Sequence, residues 1–347
     1  MNFSKQLIKW YLKNKRDLPW RKTQNPYLIW LSEIMLQQTR VAQGLPYYKA
    51  FILAFPTVFD LANASEEQVL KLWQGLGYYS RARNMHKTAQ MVANDFKGLF
   101  PDNNNDLLKL KGIGEYTAAA IASFSFGEKI PVVDGNVFRV LSRVFNIETD
   151  ISNASAKKEF QALALELMNN ENPALFNQAI MEFGALQCVP KNPSCENCIF
   201  NTSCLALKNN KVNVLPFKSK KTKVVNRYLN YLIFEDEQNK TIIQKRTEKG
   251  IWHNLYEFPL IETTNDISLE ELIEMVQQTP IIENNIYRVQ SLQDLPIKHK
   301  LSHQNLSIQF WKVHVKGYLA NGLSFSEVKK LPFPIIIYNF IENELLQ

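Results

Sequence analysis

Cysteine is missing from almost the whole chain. All four cysteines of the 347 residues lie in residues 188–204, CVPKNPSCENCIFNTSC, and the other 330 positions have none. Apolar runs are short, and even FPIIIY near the end is far below the length that spans a bilayer. The opening stretch, MNFSKQLIKWYLKNKRDLPW, has no continuous apolar core and no small-residue cleavage site, so it predicts an amphipathic helix rather than a signal peptide. We therefore expect a cytoplasmic protein without a membrane span, in which clustered reduced thiols bind metal more often than they form disulfides.

The charge of the chain is unevenly distributed. The formal net charge is +7. Residues 1–50 contain nine Lys or Arg and two acids, and residues 208–227 contain seven basic residues and no acid. A basic excess indicates a polyanionic partner such as nucleic acid, but it equally suits a solvated linker and a solvated helix face. Charge alone leaves both interpretations open.

Three stretches of the chain differ in their patterns. In residues 1–207, apolar residues recur at three- and four-residue spacing, as in LIWLSEIMLQQT and KKEFQALALELM, which predicts helices separated by short Gly, Pro and Asn breaks. Residues 208–227 contain Pro216 and show little periodicity, and we interpret them as a linker. RYLNYLIFE, TIIQKR and LSIQFWKVHV then predict strands, with SLEELIEMVQQ as a helix between them. The length predicts more than one domain, and the patterns predict an all-α region followed by an α+β domain.

The cysteines follow the spacing C-x6-C-x2-C-x5-C. The loop has a single C-x2-C pair and no nearby His, whereas structural zinc usually uses two such pairs or combines Cys with His. Four thiolates around a [4Fe-4S] cluster fit this compact loop better, while zinc and unligated thiols remain as alternatives. The spacing resembles the iron–sulfur loop of the endonuclease III class of DNA glycosylases.

Three further motifs carry residues suited to chemistry or to DNA binding. Gly112 and Gly114 lie between helical segments, where a tight turn brings backbone N–H groups near a phosphate; such a pair also occurs in turns without a ligand. Asp134 precedes Gly135 and suits a helix N-cap or a carboxylate held at a helix start in a pocket, and at a helix start we expect it to titrate low. Glu33 lies among apolar residues in YLIWLSEIMLQQT. Burial would raise its pKa toward neutrality and suit it to donate a proton, whereas an exposed helix stripe would give it no special role.

Taken in order along the chain, the motifs resemble the adenine DNA glycosylase (MutY-type) family of the helix–hairpin–helix superfamily. They are DLPWR (17–21), SEIMLQQTRV (32–41), GLGYYSRARN (75–84), GIGEYTAAAI (112–121), VVDGNVFRV (132–140) and FNQAIMEFGALQC (176–188), followed by the cysteine loop.

The resemblance implies a multidomain fold: all-α helix–hairpin–helix glycosylase domains with an iron–sulfur cluster loop, and a C-terminal α+β MutT-like (Nudix-like) domain. The all-α catalytic region would cover residues 1–207, as a six-helix barrel module at about 22–133 and an iron–sulfur cluster module at about 1–21 and 134–207. A basic linker at 208–227 and a MutT-like mismatch-recognition domain at 228–347 would follow.

The resemblance also implies roles for single residues. Glu33 matches the general acid, and Asp134 matches the carboxylate that stabilises or bonds to the sugar cation, with Tyr116 and Asn136 positioning them. Related lyases carry a Lys where this chain has Tyr116, so a hydrolytic, monofunctional glycosylase is expected. The remaining residues are implied to bind: Trp20, Arg21, Leu36 and Gln178 in the adenine pocket, Gln38 and Tyr78 at the gap left by the base, Gly112, Ile113 and Gly114 on the DNA backbone, and Cys188, Cys195, Cys198 and Cys204 on the [4Fe-4S] cluster.

The C-terminal stretch resembles the family's MutT-like domain in KGIWHNLYEFPLIE (249–262). The Glu-rich box of the pyrophosphatases is absent, so metal-dependent nucleotide hydrolysis is not expected. KHKLSHQNLSI (298–308) resembles the family's loop that contacts 8-oxoguanine, with Leu301 in place of the usual Phe before Ser302 and His303. The family resemblance implies a monomeric base excision repair enzyme that removes adenine opposite 8-oxoguanine or guanine in double-stranded DNA. A thymine–guanine mismatch glycosylase of the superfamily and a non-catalytic iron–sulfur DNA-binding protein are the alternatives.

Overall fold

The computed structural model describes residues 3–168, 171–219, 223–277 and 286–345. The chain divides into two compact units: a first unit of Met1–Asn63 with Asn84–Lys220, and a second unit of Ala64–Arg83 with Lys221–Gln347. Residues 64–83 therefore group with the C-terminal part of the chain, and the module boundaries given above stay a prediction. Among the described residues, no helix combines the length and the apolar composition that a membrane span requires.

Helices make up the first unit, as the apolar spacing of residues 1–207 predicts. They are α1 (Phe3–Asn14), a 3-10 helix (Pro19–Arg21), α2 (Pro26–Leu36), α3 (Val41–Ala54), α4 (Val58–Asn63), α6 (Ser80–Asp95, whose first residues belong to the second unit), α7 (Asn104–Leu107), α8 (Glu115–Phe126), α9 (Gly135–Phe145), α10 (Ala154–Met168), α11 (Pro173–Leu186) and α12 (Leu205–Lys208).

Local sequence explains where the helices that carry the site begin and end. The Asn25 side chain accepts a hydrogen bond from the Tyr27 N–H at the start of α2, and a proline follows it in the first turn. α2 is apolar on nearly every face and lies in the interior of the unit, so a carboxylate on this helix is buried with it. Asp134 caps α9, and Asn146 ends that helix in the left-handed conformation.

The core around α9 and α11 is rich in aromatic side chains. Phe3 of α1 stacks on Phe200 of the cysteine loop with ring centroids 4.8 Å apart, and Phe183 of α11 meets Phe200 edge-on at 5.3 Å. All three rings are buried. The loop is therefore held to the helices by apolar packing as well as by any ligand that its cysteines bind.

The second unit combines a mixed sheet with short helices. Its elements are α5 (Glu66–Leu72), β1 (Val225–Glu235), β2 (Lys240–Thr241), β3 (Gln244–Lys245), β4 (Tyr256–Glu257), β5 (Leu260–Thr263), α13 (Leu269–Gln277), β6 (Ile286–Ser291), β7 (Ile297–Lys300), β8 (Gln304–Val315), β9 (Leu323–Ser324), α14 (Phe325–Val328), α15 (Ile335–Phe340) and a π-helix (Ile341–Leu345).

The main sheet has the order β5-β1-β8-β6, and β7 also pairs with β8. β1 and β8 run parallel over eleven residue pairs, from Val225 opposite Gln304 to Glu235 opposite His314, and the other pairings are antiparallel. The predicted strands RYLNYLIFE and LSIQFWKVHV are the two central strands, and SLEELIEMVQQ contains α13. TIIQKR is not one strand: it contributes to β2 and β3, which pair with different partners. β1 begins at Val225, two residues before the predicted end of the linker.

Residues 64–83 are attached to the rest of the second unit by polar contacts. The Glu67 carboxylate accepts hydrogen bonds from the Tyr256 hydroxyl and, at 3.2 Å, from Lys245 Nζ. Lys71 Nζ donates to the backbone oxygens of Lys329 at 2.7 Å and Leu331 at 3.0 Å. These contacts place the segment that carries Tyr78 within the α+β unit.

Candidate active site

A cavity of about 540 Å³ opens in the first unit between α2, α8, α9 and α11. Its lining includes eight of the residues that the sequence proposes for catalysis or adenine binding: Glu33, Tyr116, Asp134, Asn136, Trp20, Arg21, Leu36 and Gln178. These residues are spread over more than 150 positions of the sequence, and the packing of the helices brings them to one place. Gln38 is not among the lining residues. It lies just after α2, is exposed, and has a positive φ of 57°.

Glu33 is a buried acid held by one hydrogen bond. Its residue is 7% exposed, and Tyr116 Oη donates to Glu33 Oε2 at 2.7 Å. Burial raises the pKa of Glu33 to about 7, and the negative charge of Asp134 adds to the rise, while the Tyr116 hydrogen bond and the charge of Arg21 oppose it. Since burial keeps the pKa of Tyr116 well above 10.0, its hydroxyl stays a donor. The hydrogen bond from Tyr116 thus occupies Oε2 and not Oε1 of Glu33.

Asp134 differs from the sequence-based expectation in its pKa. As predicted, it is the N-cap of α9: Oδ1 accepts from the backbone N–H groups of Asn136 and Val137, both at 2.8 Å. The expectation that it titrates low is wrong, because burial raises the pKa of its carboxyl by more than the hydrogen bonds from Val137 and Asn136 and the charge of Arg139 lower it. A helix start exposed to water would have given the opposite result.

Asn136 is held between Asp134 and Arg139. Its Nδ2 donates to Asp134 Oδ2 at 2.7 Å, and its Oδ1 accepts from Arg139 Nη2 at 2.8 Å. Arg139 also donates from Nε to the Cys188 carbonyl oxygen at 2.7 Å and from Nη2 to the Gly184 carbonyl oxygen at 2.6 Å. The guanidinium thus fixes which end of the Asn136 amide faces Asp134, and it ties this amide to the start of the cysteine loop.

The sequence analysis missed two residues of the cavity wall, Arg16 and Glu182. The Glu182 side chain on α11 is fully buried and accepts paired hydrogen bonds from both Arg16 and Arg21, with Nη2–Oε2 distances of 2.6 Å in each case. Burial alone would raise the pKa of Glu182, but the hydrogen bonds from Arg21 and Arg16 outweigh it and lower the pKa to about 2. Glu182 therefore stays ionised and holds the Arg21 guanidinium in place. The available signal was the presence of Arg16 and Arg21 in KRDLPWR and of the acid Glu182 in the apolar stretch IMEFGAL. Opposite charges in distant segments are too common for this signal to have identified the ion pairs.

The hairpin between α7 and α8 has the turn that its glycines predict. Gly112 has φ +77°, and a Cβ there would lie 2.7 Å from Asn84 Cβ, so only glycine fits without a shift. Gly114 is the N-cap of α8 and has open space around its Cα. Ile113 is buried, and its N–H already donates to the Leu110 carbonyl oxygen at 3.2 Å. The turn leaves the helix start at Gly114 accessible to an anion.

The four cysteines, Cys188, Cys195, Cys198 and Cys204, are free thiols that line one small cavity. Burial raises the pKa of the Cys198 thiol to about 11 and also raises the pKa of Cys195 and Cys204. Arg143 Nη1 lies 3.5 Å from Cys188 Sγ and donates to the backbone oxygen of the next residue. Among the described residues, no three His, Cys, Asp or Glu side chains are arranged to hold a single metal ion.

The second unit brings together Tyr78 and Ser302, two residues that the sequence assigned to DNA recognition. Tyr78 is exposed, has a positive φ of 49°, and its hydroxyl is hydrogen-bonded to Ser302 Oγ. The Arg81 guanidinium lies over the Tyr78 ring, 5.4 Å from its centroid. Ser302 and His303 are exposed in the turn between β7 and β8, and Leu301 is half-buried. Positive φ is uncommon for a residue other than Gly, Asn or Asp, and most of all for a bulky one such as Tyr78.

Two family profiles match this chain, one in its helical part and one in its C-terminal part. Residues 31–166 match the profile of the HhH-GPD superfamily base excision DNA repair proteins, and residues 230–343 match the NUDIX domain. The adenine DNA glycosylase of Buchnera aphidicola subsp. Schizaphis graminum is 37% identical over 308 residues, which cover 88% of this chain and 86% of that protein. The chain belongs to the adenine DNA glycosylase family. The adenine DNA glycosylase of Homo sapiens is 44% identical over 213 residues, 59% of this chain and 39% of that protein.

Two solved structures share the fold of about 60% of this adenine DNA glycosylase family member. A thermostable thymine-DNA glycosylase has a TM-score of 0.55 and 30% identity over 60% of this chain and 95% of its own. Endonuclease III in a non-covalent DNA complex has a TM-score of 0.53 and 22% identity over 60% of this chain and 94% of its own. At this identity, the likeness shows the fold alone. The predicted fold class is confirmed: a helix–hairpin–helix glycosylase fold with a C-terminal Nudix domain. The chain is thus a DNA glycosylase of base excision repair.

Proposed function

We propose that this glycosylase removes adenine paired with 8-oxoguanine or guanine from double-stranded DNA, by hydrolysis and without lyase activity. The observation that carries the proposal is Glu33: a buried carboxyl with a pKa of about 7, in a cavity that it shares with a second carboxyl and with planar and hydrogen-bonding side chains. The names of the relatives support adenine as the base that is removed.

The base must leave the stack before its glycosidic bond is accessible, so the duplex is opened and adenine enters the cavity. Adenine is a poor leaving group unless its ring is protonated. Glu33 supplies this proton from Oε1, while Tyr116 holds Oε2. The C–N bond then breaks, its electron pair stays on the base, and the proton from Glu33 neutralises the charge that would develop there.

The sugar left behind carries positive charge, and Asp134 is the carboxylate of the cavity that faces it in this proposal. Asp134 stabilises the cation or bonds to it, as the second carboxylate does in glycoside hydrolysis. Water then adds to the anomeric carbon, displaces Asp134 where a bond has formed, and passes its proton to the carboxylate that Glu33 has become. The raised pKa of Asp134 in the free protein fits this role, because a buried anion with few competing solvent contacts gains most from a developing cation.

Tyr116 supports the monofunctional part of the proposal. A lyase needs an amine that condenses with the sugar, and a phenol cannot form that Schiff base. The Tyr116 hydroxyl is also engaged with Glu33, so it acts as a positioning group. The product is therefore an intact strand with an abasic site.

The second unit would recognise the base opposite adenine. Tyr78 and Ser302 already form a hydrogen-bonded pair, which gives an aromatic face and a polar group side by side at an exposed position. An aromatic ring stacks on any base, whereas a hydroxyl at a base edge distinguishes 8-oxoguanine from guanine. His303 is exposed next to Ser302 and offers a further hydrogen-bonding side chain.

We also propose that Cys188, Cys195, Cys198 and Cys204 hold a [4Fe-4S] cluster. The four thiols line one cavity, and their loop has a single C-x2-C pair without a nearby His, which supports a cluster rather than zinc. The cluster would cross-link the loop and fix its fold. The positive charges of Arg143 and Arg139 beside Cys188 would offset part of its negative charge.

The decisive experiment is a strand-cleavage assay on duplexes that contain adenine opposite 8-oxoguanine, adenine opposite guanine, or thymine opposite guanine. Cleavage of the adenine strand after alkali, without cleavage before it and with little adduct trapped by borohydride, is the expected result. Release of thymine instead would favour the activity named for the similar thymine-DNA glycosylase. Binding without any abasic product would mean a non-catalytic DNA-binding protein.

A further inference from the structure

Tyr11 lies outside the cavity and contacts Gln178, one of the residues that line it. It lies on α1, is 1% exposed, and its Oη donates to Gln178 Oε1 on α11 at 2.7 Å. Gln178 lines the cavity, whereas Tyr11 does not. The Arg21 guanidinium, also in the cavity wall, lies over the Tyr11 ring at 5.6 Å from its centroid. One buried side chain thus supports two residues that face the base.

The hydrogen bond decides which end of the Gln178 amide faces the cavity. A phenol has one proton to donate, and leaving a buried donor without an acceptor is costly. Burial raises the pKa of the Tyr11 hydroxyl, so this proton stays in place at neutral pH. The Gln178 oxygen is the acceptor within reach. Because Oε1 is bound by Tyr11, Nε2 is the end of the Gln178 amide that remains to donate into the cavity that Gln178 lines.

We propose that Tyr11 is a positioning residue that makes Gln178 a hydrogen-bond donor to the extruded base. This proposal rests on the proposed function, and it requires that the extruded base offer a hydrogen-bond acceptor to Gln178 Nε2. On the adenine ring, N1 and N3 are such acceptors, provided that the proton from Glu33 goes to the third ring acceptor, N7. A base that carries an N–H at that position would place this donor against the Nε2 donor of Gln178, and the pocket would reject it.

The test compares how wild type and Tyr11→Phe treat bases that lack one acceptor. Single-turnover release is measured for adenine, 1-deazaadenine and 3-deazaadenine, each opposite 8-oxoguanine. The rate ratio of adenine to each analogue is taken in both proteins, because the intrinsic reactivity of each base then cancels. We expect Tyr11→Phe to slow adenine release about 3- to 10-fold and to reduce the ratio for one analogue about 3- to 10-fold, since a positioned hydrogen bond contributes about that factor.

Tyr27→Phe is the matched control. Tyr27 is equally buried in the first unit, and its hydroxyl donates to the Phe55 carbonyl oxygen at 2.7 Å, away from the cavity. It should lose a similar amount of stability and keep all three rates and both ratios. Equal slowing of all three bases by Tyr11→Phe, with both ratios unchanged, would show that Tyr11 only supports the fold and would overturn the proposal. If wild type released no adenine, the proposed function itself would fail, which is a separate outcome.

Discussion

Glu33→Gln replaces a buried acid by a neutral amide of the same shape, and it tests the electrostatics of the cavity without DNA. The pKa of Glu33 is about 7 in the folded protein, against an ordinary value of 4.5. Each pKa unit corresponds to about 1.4 kcal/mol, so burying the ionised carboxylate costs about 3 kcal/mol above pH 7. The amide of Gln carries no charge, so its burial has no such electrostatic cost, and its oxygen can still accept the hydrogen bond from Tyr116.

The sign of the effect follows from the raised pKa. Below about pH 4.5 the carboxyl is protonated in both the folded and the unfolded chain, so its full contribution to stability is present there; the contribution is lost as the pH rises through 7. Glu33→Gln should therefore be more stable than wild type by about 3 kcal/mol at pH 8, and by less than about 1 kcal/mol at pH 5. For a unit of this size, the difference at pH 8 corresponds to roughly 6–12 °C in Tm.

The assay is thermal unfolding at pH 5 and pH 8, with single-turnover adenine release measured on the same preparations. Glu33→Gln should be inactive and more stable, the pattern of a site that trades stability for activity. Glu166→Gln is the control, because Glu166 is an exposed acid on α10 and its loss should change neither stability nor rate at either pH. A Glu33→Gln protein that is no more stable at pH 8 than at pH 5, relative to wild type, would refute the raised pKa.

Four further results are expected. Tyr116→Phe removes a hydrogen bond that lowers the pKa of Glu33, so the upper limb of the pH–rate profile should move up by about one unit; a downward move would contradict the assignment. Gly184→Ala would place a Cβ 2.6 Å from Asn136 Cβ, so single-turnover release should fall about tenfold or more with duplex affinity, measured by titration, unchanged. Ser302→Ala with His303→Ala should lower the 8-oxoguanine-over-guanine rate ratio by about 1–3 kcal/mol per lost contact, and equal losses on both substrates would mean that the loop only holds the fold. Metal analysis should find about four iron atoms per chain, and Cys198→Ser should lower the soluble yield; one zinc per chain would exclude the cluster.

Patterns over short distances in the sequence predicted much of this protein. The helices of residues 1–207, the two long central strands and α13 follow from apolar periodicity, because burial of one face needs only local spacing. Asp134 as an N-cap and Gly112 in a tight turn follow from backbone geometry that a few neighbouring residues decide. The ordered motifs indicated the family, and the adenine DNA glycosylase that is 37% identical over 88% of the chain confirmed it.

Contacts between distant segments decided the rest. Glu182 binds Arg21 across 161 positions and Tyr11 binds Gln178 across 167, and neither pairing leaves a mark in local sequence. The pKa of Asp134 is the clearest case: its neighbours in sequence supply hydrogen bonds that lower it, but the helices packed around it exclude water and raise it. Only the tertiary structure decides how much water reaches a carboxylate, because desolvation depends on everything that packs nearby. The capping hydrogen bonds of Asp134, in contrast, depend on the four consecutive residues 134–137.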